Sequence, residues 1–229
     1  MTYTTTATIK EKMAQAGYST NQLINTALSA ALNTGTPLLI EGAPGSGKTS
    51  MAKAVAEAFG LPFIRVQFYD GLTADKILYD YNYQRQLLTI ESIKPTLESE
   101  LQGKDITEAM EVASHIDFYG EDFLIERPIL KTLRSDQQVV LLLDEVDKAS
   151  EELEYTLLEF LDEFSMTIPQ YGTITAKHKP IVFLTSNRYR ELSDALKRRC
   201  NYIFLKSKTA EEMARRGVSL VPTLARSEE

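Results

Sequence analysis

Five short apolar runs recur along the chain, and segments with helical spacing of apolar residues separate them. β-Branched and aliphatic residues dominate each run, as expected for buried strands. The runs are residues 37–41, 62–68, 138–143, 181–185 and 201–205. Continuous apolar strands that alternate with helices predict an α/β fold, in which helices cover both faces of a parallel sheet.

Two further elements are predicted between the third and fourth runs. In residues 150–164, Leu153, Leu157, Phe160 and other apolar residues fall on one face at helical spacing. Ser150 is placed to cap this amphipathic helix. Residues 166–176 have β-prone arms around a Pro-Gln-Tyr-Gly turn, so they predict a hairpin.

The segment from 71 to 135 has weaker periodicity and lies between the second and third runs. Its length predicts an insertion on the core. Within it, residues 77–88 (ILYDYNYQRQLL) fit either a helix or a twisted hairpin.

Composition narrows the class of protein. The 229 residues are 43% apolar and carry a net charge of −7, which suits one sizeable core and argues against broad nucleic-acid binding. Cys200 is the single cysteine, so no internal disulfide can form, and with two histidines a structural zinc site is not expected. The N-terminus resembles no signal peptide, and no apolar run could span a membrane. We expect a soluble cytoplasmic protein in which Cys200 is a small buried residue.

The sequence GAPGSGKT (42–49) follows the first predicted strand and precedes a helical pattern. It matches the phosphate-loop motif, in which glycines let backbone N–H groups approach phosphate oxygens. In that role Lys48 bridges the β- and γ-phosphates of ATP, and Thr49 places its hydroxyl on Mg²⁺. The predicted nucleotide-binding residues are Gly42, Ala43, Pro44, Gly45, Ser46, Gly47, Lys48, Thr49 and Ser50.

Two acidic residues end the third run in LLLDEVDKAS (141–150). The carboxyl edge of a parallel sheet is where ligands bind, so Asp144 is predicted to hold Mg²⁺ through a water molecule, while the Thr49 hydroxyl binds the ion. Glu145 is the candidate general base that polarises the attacking water. Asn187 ends the fourth run in LTSN, and its amide could contact the γ-phosphate or orient that water.

In this order the motifs resemble those of the AAA+ ATPases. Four segments sharpen the resemblance to the MoxR family and its CoxD-like branch: ILYDYNYQRQLL, FLIERPILKTL, FSMTIPQYGTI and SDALKRRC. The resemblance covers roughly residues 20–205. It implies a five-stranded sheet in 5-1-4-3-2 order, an insertion after the second strand, and a hairpin before the fourth.

The resemblance also implies a function and partners. Such proteins form homo-oligomeric rings, usually hexamers, with ATP between subunits. They act as chaperone-like remodellers of a protein client, often beside a partner with a von Willebrand factor A domain. CoxD-like members are linked to maturation of molybdenum-containing hydroxylases.

By the same resemblance, an arginine before the fifth strand reaches the γ-phosphate of a neighbouring subunit. Arg199 best matches that position, and Arg198 is the alternative. Residues 144–163 hold nine carboxylates and one cation, whereas 197–208 hold five cations and no carboxylate. We expect the acidic edge of one subunit to face the basic edge of the next.

The resemblance places an ATPase core at residues 1–205. The family continues into a helical lid, whereas here residues 206–229 predict one short helix (209–217) and a tail. Lys148 also stands where the branch often has arginine.

Two other functions stay open. Without a lid, the protein could be a binding module that is regulated by ATP and barely hydrolyses it. A nucleic-acid motor is less favoured: Tyr79, Tyr81 and Tyr83 with Arg85 could form a stacking surface, but core packing is the commoner fate of such tyrosines.

Overall fold

The computed structural model describes residues 4–101 and 117–206. The helix predicted at 209–217 and the tail lie outside these ranges, and so does part of the predicted insertion.

In the described residues the chain forms nine strands and eight α-helices. The strands are β1 (Leu38–Gly42), β2 (Phe63–Gln67), β3 (Tyr79–Tyr81), β4 (Leu124–Glu126), β5 (Val140–Asp144), β6 (Ser165–Ile168), β7 (Gly172–Thr175), β8 (Ile181–Ser186) and β9 (Asn201–Leu205). The helices are α1 (Thr6–Gln15), α2 (Gln22–Thr34), α3 (Lys48–Phe59), α4 (Ala74–Ile77), α5 (Tyr83–Leu101), α6 (Pro128–Arg134), α7 (Glu151–Glu163) and α8 (Asp194–Arg198). Short 3₁₀ turns at Glu121–Phe123 and Val146–Lys148 complete the described elements.

The central sheet contains five parallel strands in the order β2-β5-β8-β1-β9. These are the five apolar runs, so the predicted 5-1-4-3-2 order is confirmed. The carboxyl ends of β1, β5 and β8 are neighbours, which brings the three candidate motifs to one edge of the sheet.

The core has two layers because helices cover both faces of the sheet. On β5, Val140 and Leu142 pack with α1, α2 and α3, while Leu141 and Leu143 pack with α6 and α7. All four side chains are fully buried. A strand buried on both faces has no polar alternation, which explains the continuous apolar run in its sequence.

Helix α7 matches its prediction closely. The Ser150 side chain accepts a hydrogen bond from the Leu153 N–H and caps the helix. The predicted apolar face is buried against the core. The helix therefore packs in the same core cluster as the acidic turn that follows β5.

The hairpin is also confirmed, since β6 and β7 pair antiparallel. The 77–88 segment is neither of the two predicted alternatives by itself. It forms strand β3 and then enters α5, and β3 pairs antiparallel with β4 from the far end of the insertion. A distant partner strand cannot be seen in local periodicity, which left the two alternatives open.

Candidate functional site

The phosphate loop joins the end of β1 to the start of α3. Gly45 and Gly47 have φ angles of +79° and +99°, which residues with a Cβ rarely adopt. A Cβ on Gly42 would collide with the backbone carbonyl oxygen of Leu205 on β9. The loop thus needs its glycines, and it leads directly into the helix end whose free N–H groups and dipole bind phosphate.

The loop also holds a buried polar atom that has no partner among the described residues. It is the hydroxyl oxygen of Ser46, a residue that is almost fully buried. Buried hydroxyls are nearly always hydrogen-bonded, so an unpaired one in a phosphate loop fits a bound phosphate oxygen. The other predicted loop residues, Ala43, Pro44 and Ser50, lie in the same loop and the first turn of α3.

Lys48 joins two of the predicted motifs. Its Nζ donates to the carbonyl oxygens of Gly42 at 2.6 Å and Ala43 at 3.0 Å, and to Oδ1 of Asn187 at 2.7 Å. The structure therefore brings together Lys48 and Asn187, one from each of two predicted motifs.

Burial lowers the pKa of Lys48, because an ammonium is less stable away from water. Three carboxylates near the ammonium oppose this effect: Asp147, Asp144 and Glu145. The site thus concentrates negative charge around one buried cation.

Asp144 and Thr49 face each other. The Thr49 hydroxyl lies 3.1 Å from both carboxylate oxygens of Asp144, which is almost fully buried at the end of β5. Two hard oxygen donors on facing elements fit Mg²⁺. In the described ranges no cluster of three or more acidic, His or Cys side chains could hold a metal. A nucleotide-bound Mg²⁺ needs no such cluster, since phosphates and water supply its other ligands.

Glu145 stands at a sharp turn beside this pair. It has a φ of +61°, and its N–H donates to the hydroxyl of Thr185 at 2.9 Å. The same hydroxyl donates to Asp144, so Thr185 ties the two acidic residues to β8. The Glu145 carboxylate forms an ion pair with Lys148 at 2.6 Å.

Asp147 is a site residue that the sequence analysis missed. Its Oδ2 accepts from the N–H groups of Asn187 at 3.0 Å and Tyr189 at 2.8 Å. It is fully buried, and its Oδ1 has no partner among the described residues. Asp147 therefore holds the loop that carries Asn187. The available signal was a third acid in DEVDKA.

Arg65 is the second missed residue. It lies on β2 and bonds to Oδ2 of Asp144 through Nε at 2.9 Å and a terminal nitrogen at 2.6 Å. The available signal was a single cation, Arg65, in the mostly apolar run PFIRVQF.

The sequence of residues 37–200 matches the family model described as AAA domain (dynein-related subfamily). The matched segment runs from the residue before β1 to the residue before β9. It includes the phosphate loop, Asp144 and Asn187. The chain belongs to this AAA domain family.

A solved structure supports the same fold for this AAA domain. The crystal structure of a protein from Cytophaga hutchinsonii ATCC 33406, provisionally described as an ATPase, superposes with a TM-score of 0.57 at 18% identity. The match covers 97% of this chain and 57% of that one, so the AAA domain spans little more than half of that protein. No curated protein matches the chain.

Arg199 and Arg198, the two candidates for the arginine that reaches a neighbouring γ-phosphate, have different bonding partners in this AAA domain. Arg199 forms a two-bonded ion pair with Asp162 at the end of α7, with nitrogen–oxygen distances of 2.5 and 2.6 Å. Arg198 is exposed, and within the described part of the chain no hydrogen bond or ion pair holds its side chain. Neither arginine contacts the phosphate-loop residues. One pair between the acidic and basic segments is thus made inside the chain, although both segments were predicted to meet across subunits.

Cys200 lies beside these arginines and packs against the core. Burial raises the pKa of its thiol to about 12. Such a thiol is almost entirely protonated near neutral pH, which argues against a nucleophile, and the side chain is half-buried where the sequence predicted a buried residue.

The tyrosines proposed as a nucleic-acid surface are used mostly for packing. Tyr79 and Tyr81 are half-buried against the core, and the Tyr81 hydroxyl donates to the Pro169 carbonyl at 3.1 Å. The Arg85 guanidinium donates to the Asp122 carbonyl at 2.7 Å. Tyr83 alone of the three is largely exposed.

The described helices include none that is long and apolar enough to cross a membrane.

Proposed function

We propose that this AAA domain binds Mg²⁺·ATP at the phosphate loop and hydrolyses it. The observation that carries the proposal is the convergence of four side chains from α3, β5 and the end of β8. They are Lys48, Thr49, Asp144 and Asn187, and hydrogen bonds of 2.7–3.1 Å join them in two pairs. The family supports an ATPase, and the two hydrogen-bonded pairs support the assignment of these side chains to one site.

Each group has a role that follows from its chemistry. Lys48 binds the β- and γ-phosphates with its ammonium, while the loop N–H groups and Ser46 bind phosphate oxygens. Thr49 and Asp144 would hold Mg²⁺, which neutralises charge on the phosphates when it is bound. Asn187 orients the γ-phosphate or the water. Asp147 accepts a hydrogen bond from the Asn187 N–H and so fixes the backbone that carries this amide.

Glu145 is the proposed general base. Its turn is fixed by Thr185, which places the carboxylate at the same sheet edge as Asp144. The ion pair with Lys148 occupies one oxygen of this carboxylate, Oε2, and leaves the other oxygen to accept a proton from water.

We extend the proposal to a ring, with Arg199 or Arg198 completing the site of a neighbouring subunit. Its support is the resemblance together with the exposed position of α8. The assembly is proposed as a hexamer of the MoxR type, CoxD-like branch. It would remodel a protein client beside a von Willebrand factor A domain partner, and maturation of a molybdenum hydroxylase is the proposed setting.

The test is ATPase activity per subunit, measured with Mg²⁺ over a wide range of protein concentration. We expect activity to rise and then level off, because a neighbour must complete each site. Glu145→Gln should lower turnover by roughly 10²–10⁴-fold while ATP still binds. The matched control is Glu11→Gln, an exposed carboxylate on α1 outside the acidic segment. Concentration-independent activity would contradict the ring, and unchanged turnover in Glu145→Gln would contradict the general base.

A second candidate is a nucleotide-regulated binding module with little turnover. The ion pair between Glu145 and Lys148 favours it, since Lys148 occupies an oxygen of the carboxylate that would accept the proton from water. In that case the protein binds ATP but shows negligible hydrolysis at every concentration, and Glu145→Gln changes little.

A further inference from the structure

Arg65 reaches the metal-binding carboxylate from the neighbouring strand. The parallel pairing of β2 with β5 sets Gln67 opposite Asp144, and Arg65 lies two residues earlier on the same face of β2. Both bonds from its guanidinium go to a single oxygen of Asp144, Oδ2, at 2.9 and 2.6 Å. A terminal nitrogen of Arg65 also contacts Oε1 of Gln67, which steadies the guanidinium.

The two oxygens of Asp144 are therefore used differently. Oδ1 accepts a hydrogen bond from the hydroxyl of Thr185, and Thr185 is a completely buried residue. Oδ2 accepts from Arg65, whose side chain is 42% exposed, whereas that of Asp144 is 4% exposed. Arg65 thus holds the carboxylate oxygen to which Thr185 does not donate.

Thr185 already donates to Oδ1, so a divalent ion held by Asp144 would use Oδ2, the oxygen that Arg65 bonds. The two bonds from Arg65 use both lone pairs of Oδ2, so neither a divalent ion nor its bound water can bond that oxygen while both persist. A buried carboxylate also needs a partner charge, and Arg65 supplies one. Metal and arginine are alternatives for the same lone pairs.

We propose that Arg65 is a positioning residue that competes with Mg²⁺ for Oδ2 of Asp144 and so sets the affinity of the site for the metal. The proposal rests on the proposed function, since it takes Asp144 as the metal-binding carboxylate. Metal binding requires the Arg65 guanidinium to leave Asp144. Nucleotide binding without metal depends on the phosphate loop and does not require that movement.

The experiment measures metal affinity directly, without turnover. Free Mn²⁺ is followed by electron paramagnetic resonance during titration of the full chain with ADP present, and ADP affinity is measured separately in EDTA. Arg65→Met removes the charge but keeps an apolar stem. Arg65→Lys keeps the charge but loses the guanidinium fork that makes two bonds.

Arg127→Met is the matched control, since Arg127 forms a partly exposed ion pair with Asp80 at 2.9 Å in the insertion. Mn²⁺ should bind about tenfold more tightly to Arg65→Met, as loss of a charge-assisted hydrogen-bonded competitor predicts. Arg65→Lys should tighten binding by roughly threefold, because one ammonium competes less well than the fork. The control should match the wild type, and all variants should bind ADP equally in EDTA.

Three results would overturn the inference. Unchanged or weaker Mn²⁺ binding in both Arg65 variants, with normal ADP binding in EDTA, would refute the competition but leave the proposed function standing. Tighter binding in Arg65→Met with wild-type affinity in Arg65→Lys would show a general charge effect. If the wild type binds no ADP in either condition, both the inference and the proposed function fail.

Discussion

The phosphate edge and the arginine corner of this AAA domain differ in where their charged groups find partners. The phosphate edge consists of the phosphate loop with the carboxyl ends of β5 and β8, and there Lys48 bonds to Asn187 and Thr49 bonds to Asp144. The arginine corner consists of α8 with Arg199 and Cys200. There Arg199 bonds to Asp162, a residue that no motif includes. Motif residues thus meet one another at the phosphate edge, whereas at the corner the partner comes from a helix with no motif.

The largest expected effect concerns which arginine acts on a neighbour in the proposed ring. We expect Arg199→Ala to lower turnover by about 10³-fold or more, since an arginine finger is worth roughly 10³–10⁵ in rate. Arg198→Ala should have a much smaller effect, because the bonds to Asp162 hold the Arg199 guanidinium in place while Arg198 is unrestrained. Turnover of both variants, measured above the assembly concentration, decides between them. The reverse ranking would make the pair with Asp162 purely structural.

Thiol reactivity tests whether packing in the arginine corner protects the Cys200 thiol from alkylation. With a pKa of about 12 against an ordinary value of 9.0, Cys200 should react with iodoacetamide at pH 8 about 1000-fold more slowly in the folded than in the unfolded protein. Alkylation followed by mass spectrometry, with and without denaturant, measures this ratio. Equal rates would mean that the corner is open in solution.

The same shift predicts how stability depends on pH. Between about 9 and about 12 the folded protein keeps the Cys200 proton that the unfolded chain loses. The contribution to stability is therefore complete below about pH 9 and declines as the pH rises toward 12. Urea unfolding of the wild type and Cys200→Ser over this range should show a steeper loss in the wild type.

Nucleotide affinity tests the phosphate edge. Lys48→Met should weaken ATP binding by roughly 100-fold, because it removes charge-assisted hydrogen bonds to two phosphates. Lys53→Met is the matched control, since Lys53 is an exposed lysine on the same helix. Calorimetric titration with ATP and Mg²⁺ measures both. Equal losses in the two variants would point to a general charge effect in place of a contact.

The smallest expected effect concerns Asp147. Asp147→Ala removes two hydrogen bonds to backbone N–H groups and should destabilise the protein by about 1–3 kcal/mol. Asp136→Ala, an exposed carboxylate, should change stability little. Urea unfolding compares the two variants. Turnover of Asp147→Ala should also fall, because Asn187 loses its support; a fall in stability without a fall in turnover would remove Asp147 from the site.

Local sequence accounts for much of the site. Gly45, Gly47 and Lys48 act within one loop, where spacing along the chain fixes distance in space. The apolar run of β5 also predicts the position of Asp144. A strand that is buried on both faces tolerates a carboxylate only at its end, which lies at the edge of the sheet. The strand order came from resemblance to a family, since periodicity alone does not pair strands.

The pattern of the sequence by itself determined the five strands of the sheet, the helices between them, and the loop, carboxylates and amide that follow three of the strands. Only the tertiary structure decided which charges pair. Arg65 and Asp144 are 79 residues apart, and Arg199 and Asp162 are 37 apart. Strand register and helix packing brought these side chains together, and both depend on the summed burial of the whole core, which no short stretch of sequence reveals.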